Sequence, residues 1–166
     1  MIMIKTLKEP FRKKEGLGAF DFVYHFTLIV LVVYFLIYTS LSLSYDAVKS
    51  QYNRVAQAEL DAISENRTLT DAMQEHYKKD LDALKWFTGD YEIRYKVLDF
   101  SGGGFTKTKL GVSSNGSSIG NFEFTQGQIV RIEIVSSYDT QIAKFARMLG
   151  PTDDMRVVGV SEGGVK

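Results

Sequence analysis

The chain contains no cysteine, and that absence excludes a disulfide framework, a zinc–thiolate centre, an iron–sulfur cluster and a cysteine nucleophile. Histidine occurs twice, too rarely for a histidine-rich metal centre, and proline twice, at Pro10 and Pro151. Net charge is missing too. Twenty Lys and Arg balance twenty Asp and Glu, whereas a chain that binds nucleic acid along its length carries a basic excess. No Gly-x-Ser-x-Gly, His-Glu-x-x-His or EF-hand spacing occurs. The Gly-rich stretch from Ser101 to Lys107 lacks both the P-loop spacing and the dinucleotide fingerprint. His76 and Asp80 share a helix face with no nucleophile beside them, and Asp153-Asp154 reads as a solvated turn. We therefore expect no catalysis, no cofactor, no metal and no nucleic-acid partner. What remains, 166 residues of which 45% are hydrophobic, is enough for one ordinary core.

The hydrophobic residues are unevenly distributed. From Phe22 to Leu43, 22 residues pass without one Asp, Glu, Lys or Arg. The middle of this run is apolar on every helical face, and at 1.5 Å per residue it spans roughly 33 Å, the thickness of a bilayer's hydrocarbon layer. Its length exceeds the apolar core of a secretory signal, and Ser42 and Ser44 make a poor cleavage motif. It reads as a membrane helix. Lys5, Lys8, Arg12, Lys13 and Lys14 precede it against Glu9 and Glu15, whereas the flank after it opens with Asp46. The positive-inside rule then places the N-terminus in the cytoplasm and residues from about 45 onward outside.

A more specific pattern stands at the start of the run. Arg12-Lys13-Lys14-Glu15-Gly16 is followed by Leu17-Gly18-Ala19-Phe20-Asp21-Phe22. This resembles the processing signal of the type IV pilin superfamily, in which a basic leader ends in Gly and an acid stands fifth after it. Counted from Leu17, Asp21 is fifth and Phe22 sixth. The resemblance is closest to the TadE-like pseudopilins of the Tad (Flp, tight adherence) pilus, although the superfamily favours Glu at the fifth position and TadE-like helices often carry a mid-helix Pro. It implies cutting between Gly16 and Leu17 by an aspartic prepilin peptidase, leaving residues 17–166. It also implies that Asp21 and Phe22 serve assembly. The implied partners are the peptidase, other pilin or pseudopilin subunits, inner-membrane pilus assembly proteins and the lipid bilayer. A carboxylate at the membrane edge is expensive unless paired, and the new α-amino group of a neighbouring Leu17 is a cation of the same depth. His25, four residues after Asp21, is placed to pair with that carboxylate along the helix.

After the membrane run, Tyr45, Val48, Tyr52, Val55, Leu60 and Ile63 recur near helical spacing with Lys49, Arg54, Glu59 and Asp61 between them. The spacing predicts that the helix continues to about Ser64. Thr68-Leu69-Thr70-Asp71 then reads as a capping box opening a second helix, with Leu69, Met73, Tyr77, Leu81 and Leu84 on one face and Gly89 as its stop. Past Gly89 the period changes to two. Tyr91, Ile93, Tyr95 and Val97 alternate with Glu92, Arg94 and Lys96, which predicts a half-buried strand. A return strand is expected at 105–110, a Gly/Ser-rich mobile loop at 111–121, strands at 122–125 and 129–135, a short helix capped by Asp139, and a last strand at 156–160.

The expected fold class is α+β, with a long N-terminal helix, a second helix and a small antiparallel sheet. The expected divisions are a leader at 1–16, a membrane helix at 17–44, a helical stalk at 45–88 and a β-rich head at 89–166. The expected function is a structural filament subunit in the cytoplasmic membrane. The alternative is an uncleaved single-pass protein whose outer domain scaffolds another envelope protein.

Overall fold

The computed structural model describes residues 9–99, 106–136, 140–148 and 156–166. The fold is α+β. In chain order the elements are α1 (Glu9–Asn66), β1 (Thr68–Leu69), α2 (Asp71–Asp82), α3 (Lys85–Thr88), β2 (Tyr91–Asp99), β3 (Thr106–Ser114), β4 (Phe122–Glu123), β5 (Ile129–Ser136), α4 (Gln141–Arg147) and β6 (Val158–Gly164). The chain divides into two compact units, one ending at Ser40 and the other beginning at Leu41.

In the first unit the apolar side chains find nothing to pack on. Phe20, Phe22, Phe26, Leu31, Phe35 and Leu36 are all exposed, and α1 here is long and apolar enough to cross a membrane. Two of its threonines are satisfied by the helix itself. Thr27 donates to the Val23 carbonyl at 2.8 Å and Thr39 to the Phe35 carbonyl at 2.6 Å. Hydrocarbon offers no partner, so a spanning helix must satisfy such groups internally.

The second unit folds around the other part of α1. Strands β3-β2-β5-β6 form one antiparallel sheet in that order. Ile93, Tyr95 and Val97 of β2 and Val130, Ile132 and Ile134 of β5 are buried on one face. They join Val48, Tyr52, Val55, Ala56, Leu60 and Ile63 of α1 in a single core cluster. The stalk at 45–88 and head at 89–166 expected from sequence are therefore one body, because each supplies the apolar face the other needs. The other face of the sheet carries charge: Glu133 pairs with Lys96 and Arg131, and Arg131 reaches Glu162 at 3.3 Å.

Helix α1 also fastens the edge strand β6. Asn53 Oδ1 accepts from the Val160 N–H at 3.1 Å, Gln57 Oε1 from the Ser161 hydroxyl at 2.6 Å, and Ser64 Oγ donates to the Gly164 carbonyl at 3.0 Å. Glycine allows the approach. A Cβ on Gly159 would stand 2.7 Å from the Tyr52 carbonyl carbon.

Several expected boundaries shift, each for a local reason. Thr68 does not cap the second helix: Thr68 and Leu69 pair with Glu123 and Phe122, and Thr70 caps α2 instead, accepting from the Met73 N–H at 3.3 Å. The expected second helix divides into α2 and α3. Strand β3 runs on to Ser114, and 115–121 is held rather than loose. The Gln74 amide donates to the Gly120 carbonyl at 2.9 Å and accepts from the Ile119 N–H at 3.0 Å. Helix α4 is capped by Thr140, which accepts from the Ala143 N–H. Asp139, Asp153, Asp154 and the Gly-rich residues 101–105 lie outside the described residues. Strand β6 extends to Gly164, its inward positions being Gly159, Ser161 and Gly163, small residues that face α1.

Candidate functional site

The backbone of Gly16 and Leu17 lies within α1, which starts at Glu9 and passes unbroken through the expected cleavage point. Their side chains are outside the described residues. One turn on, Asp21 and Phe22 are exposed, and the Phe22 ring stacks on Phe26 with centroids 6.2 Å apart. The Asp21 carboxylate has no hydrogen-bond or ion-pair partner among the described residues. The expected pair with His25 is not formed. His25 Nδ1 instead donates to the Asp21 backbone carbonyl at 2.6 Å. An i, i+4 side chain reaches the carbonyl of the preceding turn at least as easily as the side chain beyond it, and the carboxylate is left facing outward.

Sequence reasoning missed a second feature. Glu59 is completely buried between α1 and the sheet. Tyr95 Oη donates to its Oε1 at 2.6 Å, while Oε2 has no partner. Burial is the main cause that pushes the carboxyl up to about 7, partly opposed by the Tyr95 hydrogen bond. Glu59 in turn helps raise the Tyr95 and Tyr77 hydroxyls, in both of which burial is the first cause. The signal was in the spacing. Tyr52, Val55, Glu59 and Ile63 stand three and four residues apart, so Glu59 falls on the apolar stripe rather than between its members.

His76 and Asp80 line an open groove between α1 and α2 together with Gln51, Arg54 and Tyr77. Tyr77 closes its floor by donating to the Ala58 carbonyl at 3.1 Å. Among the described residues no three His, Asp or Glu side chains converge as a metal site. In comparisons with known proteins, no family model, no curated protein and no solved structure matches the chain.

Proposed function

We propose that this chain is a non-enzymatic structural subunit of a membrane-based filament of the Tad or type IV kind, a minor pilin or pseudopilin. The carrying observation is a helix apolar on all sides with one exposed carboxylate, Asp21, at its head that has no partner among the described residues, soon after a basic segment ending in Gly16. In a bilayer such a carboxylate favours association with a helix that brings a cation to the same depth. A subunit freed of residues 1–16 carries that cation on Leu17. The prepilin peptidase, sister subunits and inner-membrane assembly proteins are the partners of this reading. The N-terminus lies inside and the second unit outside.

The run of α1 through Gly16 and Leu17 favours a second reading, an uncleaved single-pass anchor whose outer unit scaffolds another envelope protein. A peptidase needs an extended backbone and would first have to unwind this turn. Gly16 and Gly18 lower that cost, each being about 1 kcal/mol poorer than Ala in a helix. The mature N-terminus decides between the readings. Intact-mass measurement of the protein purified from membranes should give a chain beginning at Leu17, and Gly16→Leu should restore the 16-residue leader. A native chain that retains Met1 through Gly16 rejects the subunit reading and leaves the anchor.

A further inference from the structure

Within the second unit, one end of the sheet collects features that its other surfaces lack. Tyr45 Oη donates to the Arg156 carbonyl at 3.4 Å, and the next residue, Val157, accepts from the Ser136 N–H at 2.9 Å. Ser136 pairs with Tyr91, which α3 precedes by two residues, and α4 lies in the connection from β5 to β6. The α3 turn, α4 and Tyr45 therefore share this end. Here Trp86 is 69% exposed and Met148 82%, with Leu43 and Val158 also exposed. Of the exposed large apolar side chains described in this unit, only Val112 and Val160 lie elsewhere. Lys144, Arg147 and Arg156 are exposed at the same end, and Asp46 and Asp90 offset part of their charge.

Chain length limits what can cover this surface. Tyr45 follows Leu43, the end of the uncharged run, by two residues, a reach of at most about 7 Å even fully extended. The headgroup layer occupies roughly 5–8 Å on each side of the hydrocarbon. An indole has an apolar ring and one N–H that needs a partner, and membrane–water interfaces supply both. Exposed lysine and arginine favour the same place through anionic headgroups.

We propose that the Tyr45 end of the second unit rests on the lipid headgroup layer, with Trp86 inserted as its principal anchor and Lys144 on the phosphates. The proposal rests on the reading of residues 17–44 as membrane-spanning. Trp86 is the single tryptophan of the chain, so its fluorescence reports this one place. The full chain is reconstituted into vesicles of phosphatidylcholine with a minority of phosphatidylglycerol, with or without bromine on the upper acyl chain. Flotation with the vesicles tests the membrane reading separately, and a chain that stays in solution overturns both. For a chain that floats, the expected result is blue-shifted emission, most of which is lost in brominated vesicles. In the double variant Lys144→Glu, Met148→Ser that loss should become smaller while flotation is unchanged. Water-like emission indifferent to bromine overturns the proposal. So does blue-shifted emission that ignores bromine but follows protein density, which assigns the surface to a second copy.

Discussion

Glu59 and Tyr95 meet across the helix–sheet interface, the tyrosine Oη donating to Oε1 of the carboxyl at 2.6 Å. The second carboxyl oxygen is buried without a partner. Glu59 is therefore the one buried carboxyl among the described residues, and its ionisation charges the core. The folded chain keeps it protonated to about 7, against an ordinary value of 4.5, so folding takes up a proton between those values. The contribution of Glu59 to stability should be full below about pH 4.5, fall as the pH rises toward 7 and level off above, a loss of about 3 kcal/mol in all. Glu59→Gln keeps the shape and cannot ionise, so it should flatten that slope and be the more stable form at pH 8. Denaturant midpoints across this range check it, and parallel curves for the two proteins would contradict it.

Gly159 and Gly163 predict a contrast. A Cβ at Gly159 meets Tyr52 backbone at 2.7 Å, whereas at Gly163 the nearest atom is Leu60 Cδ2 at 3.0 Å, the end of a flexible side chain. Gly159→Ala should cost about 3 kcal/mol or more because α1 must shift off the sheet, and Gly163→Ala less than about 1 kcal/mol. Thermal unfolding of the two variants, side by side, measures the difference.

The common core sets a minimum for a foldable fragment. A fragment beginning at Thr68 retains the sheet and α2 but loses Val48, Tyr52, Val55, Ala56, Leu60 and Ile63 from the core. Their burial contributes on the order of 10 kcal/mol, comparable to the whole stability of a domain. Residues 41–166 should show a cooperative thermal transition by circular dichroism, and residues 68–166 should show none. A sharp transition in the shorter fragment would mean that the sheet does not depend on α1.

Asp21 tests assembly apart from anchoring. Asp21→Ala leaves the apolar helix intact, so membrane levels and processing after Gly16 should be unchanged. Association should fall several-fold, because the Leu17 amine of a neighbour then meets no opposite charge in a medium that screens poorly. Asp21→Glu should associate at least as well as the native chain. Crosslinking scored against mature protein in the membrane provides the readout, and undiminished crosslinking of Asp21→Ala removes the charge-pairing mechanism.

Where local pattern and tertiary need agree, the sequence is a reliable guide. The alternation from Tyr91 to Val97 is reproduced as buried and half-buried positions along β2, since a strand with one face on a core must alternate. The helical period from Tyr45 to Ile63 likewise marks the face that α1 buries. Thr68 shows the opposite case. Its position before an acid suits a helix cap, but β4, more than fifty residues later, claims its backbone. The Gly/Ser composition of 111–121 suggested looseness, yet the first four residues complete β3 and the Gln74 amide binds the rest. Both misreadings come from partners distant in sequence, which composition does not reveal.

The sequence by itself determined the membrane-compatible helix, its basic flank, the position of Asp21 and the helix-then-sheet order. Each of these depends on residue type and on spacing within a few turns, where covalent geometry alone decides which side chains share a face. Only the tertiary structure decided that stalk and head are one body, that Gly159 admits α1 against β6, and that Glu59 is sealed against Tyr95. Those facts depend on which surfaces meet. Glu59 and Tyr95 are 36 residues apart in the chain, and no local preference brings them together: the helix and sheet do so when they bury the apolar faces around both.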